Sequence, residues 1–299
     1  YITIEDNASA AGADDFEVGA AGVTFNITGN GVLWSDDDID TNGNTVTNLG
    51  VLTVVAGETK ELKGGGELVT GNGGTTTLAS TVTSVGGSTF RVLAGGLLEG
   101  SGAFTGAILS EGGNVAPGIS TGDVTDDLGS GNLTLDSATT FTVELGGTTE
   151  NTDYDQVDVT GAVNINSNAN AAGGALLDLS LVGGFAPTAG NTFTIVNNDD
   201  VDGITTTFQT MDDDRGLVEL TEGSAFTADG HVFTITYLGG TGNDVVLTAA
   251  GEAETRVKID GGNLVVEDIN NESPDNLEIS VQNISGTDYF VIKDVNATP

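Results

Sequence analysis

Gly239-Gly240-Thr241-Gly242-Asn243-Asp244-Val245-Val246-Leu247 matches a nine-residue calcium-binding repeat position by position. In that repeat glycines permit a tight turn, while main-chain carbonyls and the aspartate offer hard oxygen ligands. Copies complete one another's sites by stacking, and only one copy is present here. A glycine turn before a buried strand is therefore the competing reading. Asp38-Ile39-Asp40-Thr41-Asn42-Gly43 spaces its oxygens as calcium loops do, with Asp36 and Asp37 adding charge. Its twelfth position is Leu49, where a bidentate acid belongs, so a solvated turn competes there too. The candidate ligands for Ca2+, the one cofactor considered, are thus Asp38, Asp40, Asn42 and Asp244. Two further acid clusters, Asp199-Asp200-Asp202 and Asp212-Asp213-Asp214, would hold cations loosely or be screened by bulk salt.

Acid–base chemistry has weaker support. Asn151-Thr152-Asp153, Asp212-Asp213, Gly230-His231 and Arg256-Val257-Lys258 follow the order of a polygalacturonase signature, which they resemble. In such enzymes acids flank the scissile bond, and Arg and Lys hold the substrate carboxylates. Tyr154 and Val232 stand where glycines are expected, the gap from Asp153 to Asp212 is far too long, and Arg256 lies beyond the end of the repetitive body. No catalytic residue is assigned, and the chain is not expected to be an enzyme. His231 is the only histidine and there is no cysteine, so neither a zinc site nor a nucleophilic triad can be founded on it. Trp34, Phe90, Phe104, Phe141, Phe193, Phe208 and Phe233 read as stacked core or, alternatively, as a sugar-binding platform. Lys60, Lys63, Lys258 and Lys293 raise the option of Lys–Asn isopeptide links, which nothing in their spacing favours over surface placement.

Forty-four acidic residues against seven basic ones leave a formal charge of -37 over 299 residues. Nucleic acid and anionic membranes would be repelled. Such self-repulsion is tolerable where salt screens it or cations bind it, which points to a salt-rich extracellular setting. The lack of cysteine removes disulfides and thiol chemistry. No run of eighteen apolar residues is present, so no membrane insertion is expected. The chain begins at Tyr1 without Met or a signal peptide, which fits a processed export product or a piece of something longer.

The elements that must carry these residues are strands. Val, Leu, Ile and Thr alternate with Gly, Asn and Asp, and no stretch keeps a helical apolar period for three turns. Strands are predicted at 51–55, 89–93, 133–135, 141–145, 176–181 and 192–196. Leu62-Lys63-Gly64-Gly65-Gly66-Glu67-Leu68 returns thirty-six residues later as Leu98-Glu99-Gly100-Ser101-Gly102-Ala103-Phe104, and Val54-Val55-Ala56-Gly57 returns near Val92-Leu93-Ala94-Gly95. Two coils of roughly twenty residues would give such a period. The expected fold is all-β, a right-handed parallel β-solenoid body with small β-sandwich-like terminal modules; a plain β-sandwich is the alternative.

A second repeat joins the chain ends. Tyr1-Ile2-Thr3-Ile4-Glu5-Asp6 and Asp15-Phe16-Glu17-Val18 read like Leu264-Val265-Val266-Glu267-Asp268 and Asn276-Leu277-Glu278-Ile279, with Val23–Ile27 matching Tyr289–Ile292. The second copy has a preceding strand, Val257-Lys258-Ile259-Asp260, that the first lacks. This predicts an incomplete module over 1–30, a solenoid body over 31–250 and a matching module over 251–299. An incomplete sheet invites strand addition. The expected assembly interface is Tyr1, Ile2, Ile4, Phe16, Val18, Val257, Ile259, Phe290 and Ile292.

Gly113–Gly118, Gly131–Leu135, Phe141–Gly147, Tyr154–Gly161, Ala189–Val196 and Tyr237–Thr248 together resemble, in order, the autotransporter-associated β-repeat of secreted bacterial adhesins. The resemblance covers about 44–250 and implies a stalk, spacer or sticky surface, with no enzyme. The chain has no carboxy-terminal membrane barrel of the kind autotransporters carry, so secretion by that route does not follow from the likeness. The expectation is an extracellular structural protein at a bacterial surface, a subunit or segment of a fibre, sheath or surface layer that self-associates head-to-tail. A calcium-stiffened adhesin segment, with polysaccharide or a cell surface as partner, is the alternative. A polysaccharide-degrading β-helix is the remote one.

Overall fold

The structure, a computed structural model, describes residues 3–4, 16–18, 22, 24–35, 38–118, 127–150, 152–168, 173–199, 202–213, 215–252, 255–260, 263–268, 277–284 and 287–294. The chain is all-β, with no helix among the described residues and 59% strand. It divides into two compact units, Tyr1–Gly251 and Glu252–Pro299.

The first unit is built of parallel ladders. The first ladder runs through Thr3–Ile4, Asn30–Trp34, Val51–Val54, Thr75–Leu78, Leu97–Gly100, Asn114–Pro117, Thr140–Leu145, Leu176–Leu181 and Gln209–Asp212, each strand parallel to the next. The second runs through Phe16–Glu17, Ile39–Asp40, Lys60–Lys63, Val82–Ser84, Ala103–Glu111, Leu128–Leu135, Val157–Val159 and Thr192–Asn198. The third runs through Thr24–Ile27, Thr45–Asn48, Glu67–Thr70 and Thr89–Leu93 to the far halves of Ala103–Glu111 and Leu128–Leu135, then Val163–Asn164. Those two long strands fuse the second and third ladders into one sheet.

As far as Val163–Asn164, each pass of the chain adds one strand to every ladder. Within a strand such as Val51–Val54 burial alternates, so Leu52 and Val54 point inward while Val51 and Thr53 face out. Register stacks the inward residues into columns. Leu52, Thr76, Leu98, Val115, Phe141 and Leu177 form one; Val46, Leu68, Phe90, Ile108, Leu133 and Val163 form another. Each large apolar side chain so buried contributes about 1.5–3 kcal/mol. Trp34, Phe90, Phe104, Phe141, Phe193, Phe208 and Phe233 are all at 0% exposure, which makes them core and removes the sugar-platform reading.

Corners fix the register. Thr41 Oγ1 donates to Lys63 O at 2.6 Å, 22 residues away, and accepts from Gly66 N at 2.9 Å. Asn48 Nδ2 donates to Thr75 O at 2.7 Å. At Gly66 a Cβ would collide with Asn44 O of the preceding pass, so only glycine lets the corners nest. The thirty-six-residue repeat is therefore not the stacking period: Leu62 stacks between Ile39 and Ser84, whereas Leu98 stacks between Thr76 and Val115. It matches a corner after one ladder to a corner after another, because both need the same glycines. Lys60 is wholly buried with Nζ on Val55 O at 2.9 Å and Glu58 O at 3.1 Å, and Lys63 pairs with Asp38.

The far end of the unit switches to antiparallel pairing. Gln209–Asp212 turns back as Gly216–Glu219, Ala225–Ala228 pairs with His231–Gly239, and Asp244–Glu252 lies antiparallel to Thr192–Asn198. Asp212, 3% exposed, fastens this cap by accepting from Thr227 N and Arg215 N at 2.8 Å and pairing with the Arg215 guanidinium at 2.9 Å. Tyr237 Oη donates to Leu220 O at 2.7 Å and accepts from Phe208 N at 2.9 Å.

Two expectations about organisation change. The described residues among 1–30 form no module of their own: Thr3–Ile4, Phe16–Glu17 and Thr24–Ile27 are the first strands of the three ladders, in register with Leu33–Trp34, Ile39–Asp40 and Thr45–Asn48. The second unit holds two antiparallel hairpins, Thr255–Asp260 with Asn263–Asp268 and Leu277–Ile284 with Thr287–Asp294, each a separate two-stranded sheet and not one β-sandwich. Similar residues at the two ends thus enter different pairings.

Replacing Tyr237 by Phe strands a main-chain N–H and a carbonyl inside the cap. Tyr237→Phe is expected to lower unfolding free energy by about 1–3 kcal/mol, read as a shifted urea midpoint at unchanged slope.

Candidate functional site

The Asp38–Asn42 segment is the second-ladder strand Ile39–Asp40 together with the corner residues that flank it. Asp38 Oδ1 accepts from Glu61 N at 2.7 Å and Oδ2 sits 2.6 Å from Lys63 Nζ. Asp40 Oδ1 accepts from Asn42 N at 2.8 Å, and Asn42 takes φ 48° to make the turn. Leu49, at the closing position of the supposed loop, follows the strand Thr45–Asn48. Both Asp38 oxygens and Asp40 Oδ1 are thus engaged by a neighbouring lysine and by main-chain N–H groups, and these bonds close the corner.

Asp244 lies elsewhere. Six strands separate its strand from Ile39–Asp40 within the sheet, roughly 30 Å at the usual strand spacing. The Gly239–Asp244 stretch is a hairpin turn in an antiparallel pair, with Gly242 N donating to Gly239 O at 2.7 Å. It is not a pass of a parallel stack, so the neighbours that complete a nine-residue repeat are not supplied. The turn is stitched instead to the loop after Thr192–Asn198. Asn243 Nδ2 donates to Asp199 O at 3.1 Å and Asp202 O at 3.3 Å, and Asp244 Oδ1 accepts from Asn198 N at 3.0 Å. Burial pushes the Asp244 carboxyl above its ordinary range, the Asn198 N–H opposing, with Glu150 adding repulsion. Asn198 Nδ2 donates to Asp202 O at 2.8 Å, while Oδ1 is buried without a hydrogen-bond partner. The structure thus joins the glycine motif to one of the acid clusters through Asn198, a residue the sequence reading passed over.

The acid–base candidates do not converge. Asp153 is held below the usual carboxylate range by the Thr149 hydroxyl and by main-chain N–H groups of its own loop. Asp212 is consumed by Arg215 and Thr227, and Asp213 Oδ2 accepts from Gly230 N at 3.1 Å. His231 Nδ1 lies 3.0 Å from Asp229 O. Arg256 and Lys258 belong to the other compact unit, and Asn151 and Asp214 lie outside the described residues. Beside the cap a depression of about 240 Å³ is lined by Leu176, Asp178, Met211, Asp213 and Asp229, among others. Its acids and apolar side chains pair no nucleophile with a base.

The expected assembly residues separate into two sets. Tyr1 and Ile2 lie outside the described residues. Ile4 pairs with Trp34; Phe16 pairs with Ile39 and meets Phe25 edge-on at 4.7 Å, and Val18 is 3% exposed. Phe16 and Val18 are therefore spent on the first unit's own core and are not a free interface. In the second unit Val257 pairs with Val266, Ile259 with Leu264 and Ile292 with Ile279. Phe290 pairs with Val281, and the two are 62% and 61% exposed, beside Ile279 at 49%. Alternation puts these three on one face of the hairpin.

A buried acid had no sequence signal beyond its place in Tyr154-Asp155-Gln156. Asp155, 4% exposed, accepts from Glu144 N at 2.9 Å through Oδ2. Burial pushes its pKa up to about 7, partly offset by that hydrogen bond, while the carboxylates of Glu144 and Asp127 push it further up. An unfolded aspartate ionises near pH 4. Between those values the folded chain keeps a proton the unfolded chain has lost, so Asp155 lowers stability progressively as pH rises from about 4 to 7. Asp155→Asn retains the acceptor and is expected to gain about 1–3 kcal/mol at pH 8 and little at pH 4, measured by urea unfolding at both.

No protein-family model matches the chain, and no curated protein sequence matches it.

Proposed function

We propose that this chain is a segment of an extracellular structural protein, a right-handed parallel β-solenoid that associates with further copies of itself. The observation that carries the reading is the asymmetry of the first unit: among the described residues, Thr3–Ile4, Phe16–Glu17 and Thr24–Ile27 pair on one side only, whereas the other end is closed by antiparallel hairpins. Strands connected to parallel neighbours in one sheet pass with right-handed crossovers in nearly all folds, which favours that hand. Unpaired strand edges accept strands from another chain.

The second unit supplies the complementary need. A lone two-stranded hairpin is marginal in water, and the Leu277–Ile284 hairpin presents Ile279, Val281 and Phe290 to solvent. Burying that face against the first strands of another copy would satisfy both ends and produce a head-to-tail fibre, sheath or surface layer. The charge of -37 suits a salt-rich bacterial exterior and disfavours nucleic acid or anionic lipid as partners. The resemblance to the autotransporter-associated β-repeat supports the same role, and the role requires no catalytic step.

Assembly of like-charged copies should strengthen as salt screens them. Sedimentation and electron microscopy of the purified chain are expected to show concentration-dependent polymers that grow between about 0.05 and 1 M NaCl. Val281→Lys combined with Phe290→Glu, both at exposed positions, should leave circular dichroism unchanged and reduce association at least tenfold. A wild-type chain that stays monomeric throughout, or polymers untouched by the double substitution, would refute the proposal.

A further inference from the structure

We propose that the junction between Asn198–Asp199 and the Gly239–Asp244 turn binds a calcium ion. Its ligands are Asn198 Oδ1, the Asp244 carboxylate and the main-chain oxygen of Asp199. The inference stands apart from the assembly reading and holds whether or not the chain polymerises.

Asn198 Oδ1 is the atom that points to the ion. Asn198 is 2% exposed and its donors are committed, N to Asp244 Oδ1 at 3.0 Å and Nδ2 to Asp202 O at 2.8 Å, yet Oδ1 has no hydrogen-bond partner. A buried acceptor left unmatched costs about 1–3 kcal/mol. Exchanging the two ends of the amide does not help, because oxygen would then face the Asp202 carbonyl oxygen. Asn243 Nδ2 gathers the Asp199 and Asp202 carbonyls to 3.1 and 3.3 Å; Asp202 O thereby accepts from both amide Nδ2 groups, while Asp199 O keeps a second lone pair. Gly240 lets the chain turn tightly over the Asp244 carboxylate, where a Cβ would collide with Oδ2. Among these oxygens the Asp244 carboxylate carries the one formal negative charge.

Amide, carbonyl and single-carboxylate oxygens suit a hard, loosely coordinated cation, and the absence of imidazole and thiolate from this set disfavours transition metals. With one carboxylate the affinity falls in the range of extracellular calcium modules, about 10⁻⁴–10⁻³ M, with water completing the coordination shell. This ligand set is not that of the nine-residue repeat, because Asn198 and Asp199 both lie outside that motif and Asn198 supplies the key oxygen. The ion would tie Thr192–Asn198, the last parallel strand of the second ladder, to the cap strand Asp244–Glu252.

The test is calorimetric titration of calcium into the full chain, stripped with chelator and held in about 0.5 M NaCl to screen diffuse charge. One saturable site is expected in the wild type, weakened at least tenfold by Asp244→Asn and tightened by Asn198→Asp, which adds a second carboxylate. Calcium at about 10 mM should raise the wild-type melting temperature by several degrees and leave that of Asp244→Asn nearly unchanged. If Asn198→Asp folds only with calcium, as followed by circular dichroism, that supports the site; if it fails to fold under any condition, the wild type and Asp244→Asn decide. Wild-type melts that coincide with calcium and with chelator, with no saturable heat, overturn the proposal and leave Asn198 Oδ1 to a buried water. Equal calcium affinity in wild type and Asp244→Asn overturns it too, by moving the ion elsewhere on the acidic surface.

Discussion

Everything in the first unit depends on in-register stacking of passes that are too thin to stand alone. A strand such as Val51–Val54 offers only Leu52 and Val54 to the interior, so one pass cannot enclose a core. Above and below, Thr76 and Leu78 continue the same columns, and each pass becomes the floor of the next. Stability is then a sum over neighbouring interfaces, as in other repeat architectures. A slip of one residue would turn Val51 and Thr53 inward and leave the columns unfilled.

That constraint explains where the polar residues went. Thr41, Asn48 and Asp38 sit at corners, and each spends its side chain on the main chain or a lysine of an adjoining pass. These bonds satisfy corner groups that the ladders cannot pair, and they lock register at the same time. Glycines such as Gly66 permit the nesting. Oxygen-rich corners therefore look like metal loops in the sequence while serving as clasps in the fold.

The cap shows how a growing parallel stack is brought to an end. Antiparallel hairpins bury Phe226 and Phe233 against the last passes, and Asp212 and Tyr237 tie the hairpins by charge-assisted and main-chain hydrogen bonds. Acids in such places are expensive: Asp155 and Asp244 are both pushed toward protonation by burial in a chain already carrying -37. The excess of negative charge is thus tolerated outside and costly where loops fold back inside.

Residue types alone determined the all-β class, the strands picked out by alternation and the acidic charge, since β-branched alternation and glycine turns are local properties. Thr89–Leu93, Thr140–Leu145 and Leu176–Leu181 fall where alternation put them. Local pattern does not say which strand lies beside which, and so the thirty-six-residue repeat misled: corners after different ladders share glycines without sharing neighbours. For the same reason Phe16 and Val18 read as a loose end, whereas Val18 is core and Phe16 packs against it. Only tertiary structure could bring Asn198 to Asp244 across 46 residues, because their meeting is set by the turn from parallel stacking to an antiparallel cap.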